Sequence, residues 1–289
     1  MGFNNSKSLI VSTTKTIGLN GSDFETVASA ITWADSKVSY KKRITLYIKN
    51  GTYNEGNLIL KKDYIDIIGE SKDGTIIRVD GTTTPQITLR DRSGLFAAVN
   101  TNISNLTIDV NDVKYCVHND AGDPNKDGYE AIFTNCKFIH RGCENNEYYF
   151  PVGIGARANQ NNRFIDCEFE YRNPYASPVY GIFWHNWNNQ SDGAELQVIR
   201  GKFVNCGIAN LSDLGSTQVD KCTFDDCTTT ILDKMVVISA TPGYYKSSYF
   251  AQPVSDATLV PYNIKIIKKG YALKIYVDPI SRPLVNKYN

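Results

Sequence analysis

Residues 134–142 read TNCKFIHRG, and the pairing of a cysteine with a phenylalanine two positions on returns in DCEF at 166–169 and KCTF at 221–224. Aligning Leu106-Thr-Ile108, Cys136-Lys-Phe138, Cys167-Glu-Phe169, Gly201-Lys-Phe203 and Cys222-Thr-Phe224 gives steps of 30, 31, 34 and 21 residues. Periods in this range are the mark of stacked repeats, each too small to bury its own apolar face. Within a strand, alternation sends the first and third residue of each triplet to one side and Thr107, Lys137, Glu168, Lys202 and Thr223 to the other. A small residue beside an aromatic one, repeated coil above coil, fills a narrow interior with aligned columns. Cys136, Cys167 and Cys222 are therefore expected to stand above one another inside a common tube.

Composition agrees with an ordinary globular chain: 289 residues, 42% hydrophobic and 21% charged, with 31 Lys and Arg against 30 Asp and Glu, a net charge of +1. No basic run tracks a phosphate backbone, so nucleic acid is not an expected partner. The opening MGFNNSKSLIVS lacks a basic region followed by an apolar core, and no segment approaches 18 continuous apolar residues, so no export or membrane signal is visible, and secretion stays open as the alternative to a virion location. Seven cysteines, at 116, 136, 143, 167, 206, 222 and 227, are an odd number without a CxxC pair or zinc-ligand spacing. They read as free thiols of a chain folded in a reducing cytoplasm, serving mostly as small apolar core residues.

Upstream of the repeats, SDFETVASAITWADS places Ser22 and Glu25 as a capping box and Phe24, Val27, Ala28, Ile31 and Ala34 on one helical face, predicting a helix over about 23–36. After it the period changes. ITLYIKN (44–50), GNLILKK (56–62), YIDIIGE (64–70) and TIIRVDG (75–81) are short, β-branched and bounded by turn residues. From about 236 the coil pattern breaks, and YNIKIIKKGYALKIYV (262–277) predicts a hairpin around Lys269-Gly270 that caps the stack, joins subunits or attaches to a larger assembly. The expected organisation is all-β: a single-stranded right-handed parallel β-helix with its cap helix over 1–235, and a small C-terminal β segment over 236–289.

A helix followed by coils of this length resembles the right-handed parallel β-helix of the pectin lyase and pectinesterase superfamily. The likeness runs over roughly 19–233 and is carried most clearly by DFETVASAITWA and RITLYIKNGTYNEGNLILKKDYIDIIGES, which look like a pectinesterase's capping helix and first coils. Pectinesterase catalytic motifs, a glutamine and paired aspartates with an Asp-Phe-Ile-Phe-Gly strand, have no counterpart, so no nucleophile or acid is carried over. A second likeness covers about 110–190, where YCVHNDAG, NCKFIHRG, DCEFEYRNPYASP and GIFWHN are similar to segments of β-helical proteins of tailed bacteriophages. That resemblance implies a tailspike or tail appendage: a virion protein made in the host cytoplasm, usually a homotrimer, partnered by other tail proteins and by the host's surface polysaccharide.

The polar residues outside the core columns point the same way. His118-Asn119-Asp120 and His185-Asn186 share a His-Asn step 67 residues apart, close to two repeats, with Arg157 between them. At about 4.8 Å per coil the two histidines are expected roughly 10 Å apart, enough to flank a sugar ring. Trp184, Trp187, Tyr180 and Tyr175 add flat apolar faces, and sugars offer one apolar face and many hydroxyls. Each of the three histidines also reads as an ordinary structural or surface residue, and the 18 tyrosines as outer-face strand formers at a trimer contact. For catalysis, glycoside hydrolysis needs two carboxyl groups roughly 5–9.5 Å apart. Asp166, Glu168, Glu170 and Glu195 are scattered by alternation, which leaves Asp120 beside His118, with His185, as the preferred acid or base. No cofactor is expected except calcium: DPNKDG offers Asp123, Asn125 and Asp127 in the spacing of a calcium loop, although Thr134 stands where its bidentate Glu belongs. Three readings remain open: a polysaccharide depolymerase, a non-catalytic receptor-binding or structural virion module, and a secreted bacterial carbohydrate esterase or lyase.

Overall fold

The computed structural model describes residues 11–19, 21–81, 93–96, 100–119, 129–142, 150–156, 160–172, 180–186, 195–211, 216–225, 231–233, 236–240, 262–269 and 272–279. The chain winds through three sheets in rotation, so that Thr101–Ser104 (sheet A) leads to Thr107–Asn111 (sheet B), then Tyr115–Asn119 (sheet C), then back to Tyr129–Thr134 in sheet A. Among the described residues sheet A has eleven strands and sheets B and C seven each, and all strand pairings are parallel except those made by the last two strands. This is the expected parallel β-helix.

One residue makes the corner from sheet A to sheet B in successive coils. Asn105, Asn135, Asp166, Arg200 and Lys221 occupy the left-handed region at φ 57°, 50°, 55°, 52° and 53°. Asn and Asp tolerate that region better than other L residues, and the column adds its own bonds. Asn135 Nδ2 donates to Asn105 Oδ1 at 3.0 Å, and Arg200 grips both oxygens of Asp166 at 2.6 and 2.7 Å. Directly after each corner the chain turns inward, which fixes the quoted stretch. Leu106, Cys136, Cys167, Gly201 and Cys222 are all buried, and the thiols of Cys136, Cys167 and Cys222 donate to the carbonyls of Ile103, Phe133 and Val198 at 3.4, 3.4 and 3.5 Å. Gly201 replaces cysteine because a Cβ there would meet Val198 Cγ1 at 2.8 Å. Two positions on, Phe138, Phe169 and Phe203 are in register and stack, at 5.3 Å and then 4.6 Å between centroids. Burial pushes the Cys116 and Cys167 thiols well up and Cys222 to about 12, so these sulfurs are packing groups rather than nucleophiles. Cys143 and Cys227 lie outside the described residues.

At the first end of the stack the helix is Val27–Lys37, four residues shorter at its start than its sequence pattern implies. Phe24 is drawn into a bridge with Ile17, which holds the backbone around it extended. Asp23 is engaged by Thr16 and Lys15, and Thr26 becomes the N-cap, accepting from Ser29 N–H. The expected Ser22–Glu25 box does not form. Glu55, from the Gly51–Glu55 strand, instead accepts from the Val27 N–H at 2.6 Å, placing a carboxylate on the helix N-terminus from 28 residues away. Val27, Ala30, Ile31 and Ala34 bury against the coil; Ala28, assigned to that face by periodicity, is exposed. At the other end, Tyr262–Lys269 and Ala272–Pro279 form the expected hairpin, and its second strand pairs antiparallel with Val236–Ala240, extending sheet A. No helix among the described residues is long and apolar enough to cross a membrane.

One histidine belongs to this architecture. His140 points inward, fully buried; its Nε2 pairs with the Val113 carbonyl at 2.7 Å and its Nδ1 accepts from Gly142 N–H at 3.1 Å. Burial lowers its pKa from 6.5 to about 4, against the pull of the Val113 and Lys114 backbone. Between those values the unfolded chain holds the proton and the native chain does not, so stability is full above about pH 6.5 and is lost as pH falls toward 4. The slope is at most ~1.4 kcal/mol per pH unit. Urea midpoints followed across this range should show that slope in the wild type and its removal in His140→Leu; parallel curves would contradict a neutral buried imidazole.

Candidate functional site

Sheet C differs chemically from the other two. On sheet B the outward positions carry an ionic ladder: Lys137, Glu168 and Lys202 are in register, Glu168 is paired with Lys72, and Glu170 contacts Lys137 at 3.1 Å and Arg172 at 2.6 Å. Asp109, almost fully buried, is clasped by Arg141 at 2.7 and 2.8 Å and by Arg78 at 3.1 Å. Sheet C carries rings. Tyr115, Phe150 and Tyr180 form a cluster of their own, separate from the coil's interior, with Phe183 packed against it. His118 stacks on Tyr115 at 4.7 Å and 25°, Phe150 on Phe183 at 4.6 Å and 13°, and Tyr180 lies 5.8 Å from Phe150. Lys114 Nζ sits 5.1 Å over the Tyr115 ring, a cation–π distance.

A break in alternation builds this row. Between Tyr180 and Ile182 the register shifts, so both Gly181 and Ile182 turn inward and Tyr180 is left on the other side. A Cβ at Gly181 would stand 2.9 Å from Cys206 Sγ and Phe169 Cβ, which is why glycine occupies the bulge. The first strand follows the same path: Cys116 and Val117 are both in the interior cluster while Tyr115 and His118 stack outside it. Tyr115, His118, Phe150 and Tyr180 are themselves largely covered, and burial pushes the Tyr180 hydroxyl up to about 12. Phe183 is the half-buried, open member of the row.

The sequence-derived candidates distribute unevenly over this face. The strands Tyr115–Asn119, Phe150–Ala156 and Tyr180–Asn186 are adjacent, as the His-Asn step implied. Their register differs from expectation: His118 aligns with Gly153 and Phe183, and His185 aligns with Gly155 and Leu211. The two histidines therefore stand two coils and two positions apart, about 12 Å between backbones at ordinary strand spacings, not in one column. Asn186 follows His185, in register with Ala156. Asn119 faces inward, buried, and donates through Nδ2 to Asn162 Oδ1 at 2.7 Å, so it is a core polar pair rather than a sugar donor. Trp184 is fully buried, in register with Ile154 and Asn210, and fills the coil instead of offering a platform. Tyr180 does lie on the outer row. Asp120, Arg157, Tyr175 and Trp187, with Asp123, Asn125 and Asp127 of the calcium-loop pattern, lie outside the described residues.

The remaining carboxylates are engaged. The Arg200 guanidinium holds Asp166 below the usual carboxylate range; burial alone would raise Glu168 and Glu170, but Lys72 and Arg172 with Lys137 hold both below it. Glu195 is exposed on sheet A. No two of these form a proton-sharing pair suited to acid–base hydrolysis. Sequence reasoning missed Tyr115, Phe150, Phe183 and Lys114; the signal was there in aromatics recurring at coil spacing in YCVH, FPVG and YGIF.

The three rotating sheets and their inward columns define a parallel β-helix protein. Among solved structures the chain is similar to the pectin methylesterase PemA of Erwinia chrysanthemi (TM-score 0.40, 17% identity, 73% of this chain and 60% of that one). It is similar also to the carrot pectin methylesterase (TM-score 0.37, 14% identity, 71% and 82%) and to the ORF18 protein of Geobacillus virus E2 (TM-score 0.31, 14% identity, 73% and 57%). The chain thus spans less than two thirds of the Erwinia enzyme and of the viral protein. No protein-family model matches the chain, and no curated protein matches it either.

Proposed function

We propose that this chain is a glycan-binding β-helix of a bacteriophage tail appendage, meeting host cell-surface polysaccharide with the outer face of sheet C. The observation that carries the reading is the row of rings outside the coil, confined to one sheet and ending in the half-buried Phe183. A sugar ring packs its C–H face on an open aromatic side chain such as Phe183, which the covered rings hold in place, while neighbouring polar groups take the hydroxyls. The reading assigns the ligand's hydroxyls to His185 and Asn186, two and three positions beyond Phe183 on its strand, and to Arg157 and Asp120, which follow strands of this sheet in the sequence. The phage assignment is supported by the likeness of residues 110–190 to phage-encoded β-helical segments. A homotrimer joined to other tail proteins is part of the proposal.

Binding is favoured over cleavage because Asp166, Glu168 and Glu170 are tied into ion pairs and Glu195 stands on sheet A. Incubation with purified capsular or teichoic polysaccharide tests this. Retention of glycan with no new reducing ends, unsaturated uronates or released acetate is the expected result. Release of such products would replace the binding reading with a depolymerase or esterase, and no retention of any host glycan would remove the function.

A further inference from the structure

A groove of about 440 Å³ separates the cap helix from the Leu58–Ile59 strand. Its floor is apolar, formed by buried Ile31 and Leu58 with half-buried Ile59. Its helical wall carries Thr32, Asp35 and Ser36, which i+3 and i+4 spacing puts on one side of the helix. All three present acceptors. Thr32 Oγ1 already donates to the Ala28 carbonyl at 2.9 Å and Ser36 Oγ to the Trp33 carbonyl at 2.7 Å, so their lone pairs face outward. Asp35 Oδ1 is buried and has no hydrogen-bond partner among the described residues. Burial raises the Asp35 pKa, although the Lys61 and Lys62 backbone N–H groups oppose that shift. Asp35 as a whole is only half-buried and lines the groove, so its carboxyl group is an acceptor on that wall. Donors stand across the groove, where Asn57 and Lys61 complete the lining.

We infer that this groove, at the Leu58–Ile59 edge of sheet C and apart from its row of rings, is a second binding site for one residue of a neutral saccharide. An apolar floor with acceptors on one wall and donors on the other matches a sugar ring, which has a C–H face and hydroxyls that donate and accept. An amine ligand fits less well, because the Lys61 ammonium lines the same groove and offsets the Asp35 charge. The volume lies within the range of small-ligand pockets. A ligand with so few heavy atoms should bind with a dissociation constant on the order of millimolar.

Methyl-resolved NMR of the whole chain separates this site from the row of rings on sheet C. Titration with glucose, galactose or N-acetylglucosamine should shift the Ile31, Leu58 and Ile59 methyls saturably for at least one of them, and putrescine should not. Asp35→Ala should weaken that response at least ~tenfold. Thr32→Arg, on the exposed rim, should abolish it with the fold intact. The inference is overturned if those methyls move with none of the sugars, move preferentially with putrescine, or move undiminished in Thr32→Arg. Shifts confined to Ile182 and Ile208 would overturn it too, while leaving the sheet C reading standing.

Discussion

Replacing Phe169 with alanine is expected to lower the unfolding free energy by about 3–5 kcal/mol, the usual loss when a buried aromatic side chain is removed from a close-packed interior. Phe169 is fully buried and central: its ring lies 4.6 Å from Phe203, 5.3 Å from Phe138 and 5.5 Å from Phe164. Its truncation opens a void spanning three coils, and a solenoid has only nearest-neighbour contacts with which to compensate. Phe169→Leu, which keeps most of the volume, should cost less than about 1.5 kcal/mol. Chemical denaturation measures both. A loss below about 1 kcal/mol for the alanine variant would show that the column does not hold the coils together.

Trp184→Ala is expected to cost about 3 kcal/mol or more, as a core truncation and not as a loss of sugar stacking. Trp184→Phe should be close to neutral, because it also removes a buried indole N–H that finds no hydrogen-bond partner among the described residues. Thermal or urea unfolding separates the outcomes. A folded alanine variant of wild-type stability that fails only in glycan binding would return Trp184 to the outer face.

The architecture could be read from residue chemistry because its signal is local. A left-handed corner residue, a small residue and an aromatic one sit within five positions, and each coil repeats them. The C-terminal hairpin was legible for the same reason, through a turn flanked by alternating apolar residues. What failed depended on distant contacts. Glu55 replaces Glu25 at the helix N-terminus because Phe24 is committed to Ile17, and neither partner is visible in the helical pattern. Strict alternation puts Tyr180, Ile182 and Trp184 on one face; the bulge at Gly181 divides them, so a tryptophan assigned to ligand lies in the core. The His-Asn step misaligned His118 and His185 because the connections between coils vary in length, and the counterpart of His118 two coils on is Phe183. The aromatic row escaped notice because its members are scattered through unlike strands and become one surface only after folding.

The most direct test of the glycan face is Phe183→Asp. A charged, strongly hydrated group at the open end of the ring row should weaken host-glycan binding at least ~tenfold with the cooperative melting transition retained. Gln197→Asp, on sheet A, should leave binding as it was. Wild-type glycan affinity in the Phe183 variant, with the protein folded, would contradict the assignment of ligand to the outer face of sheet C.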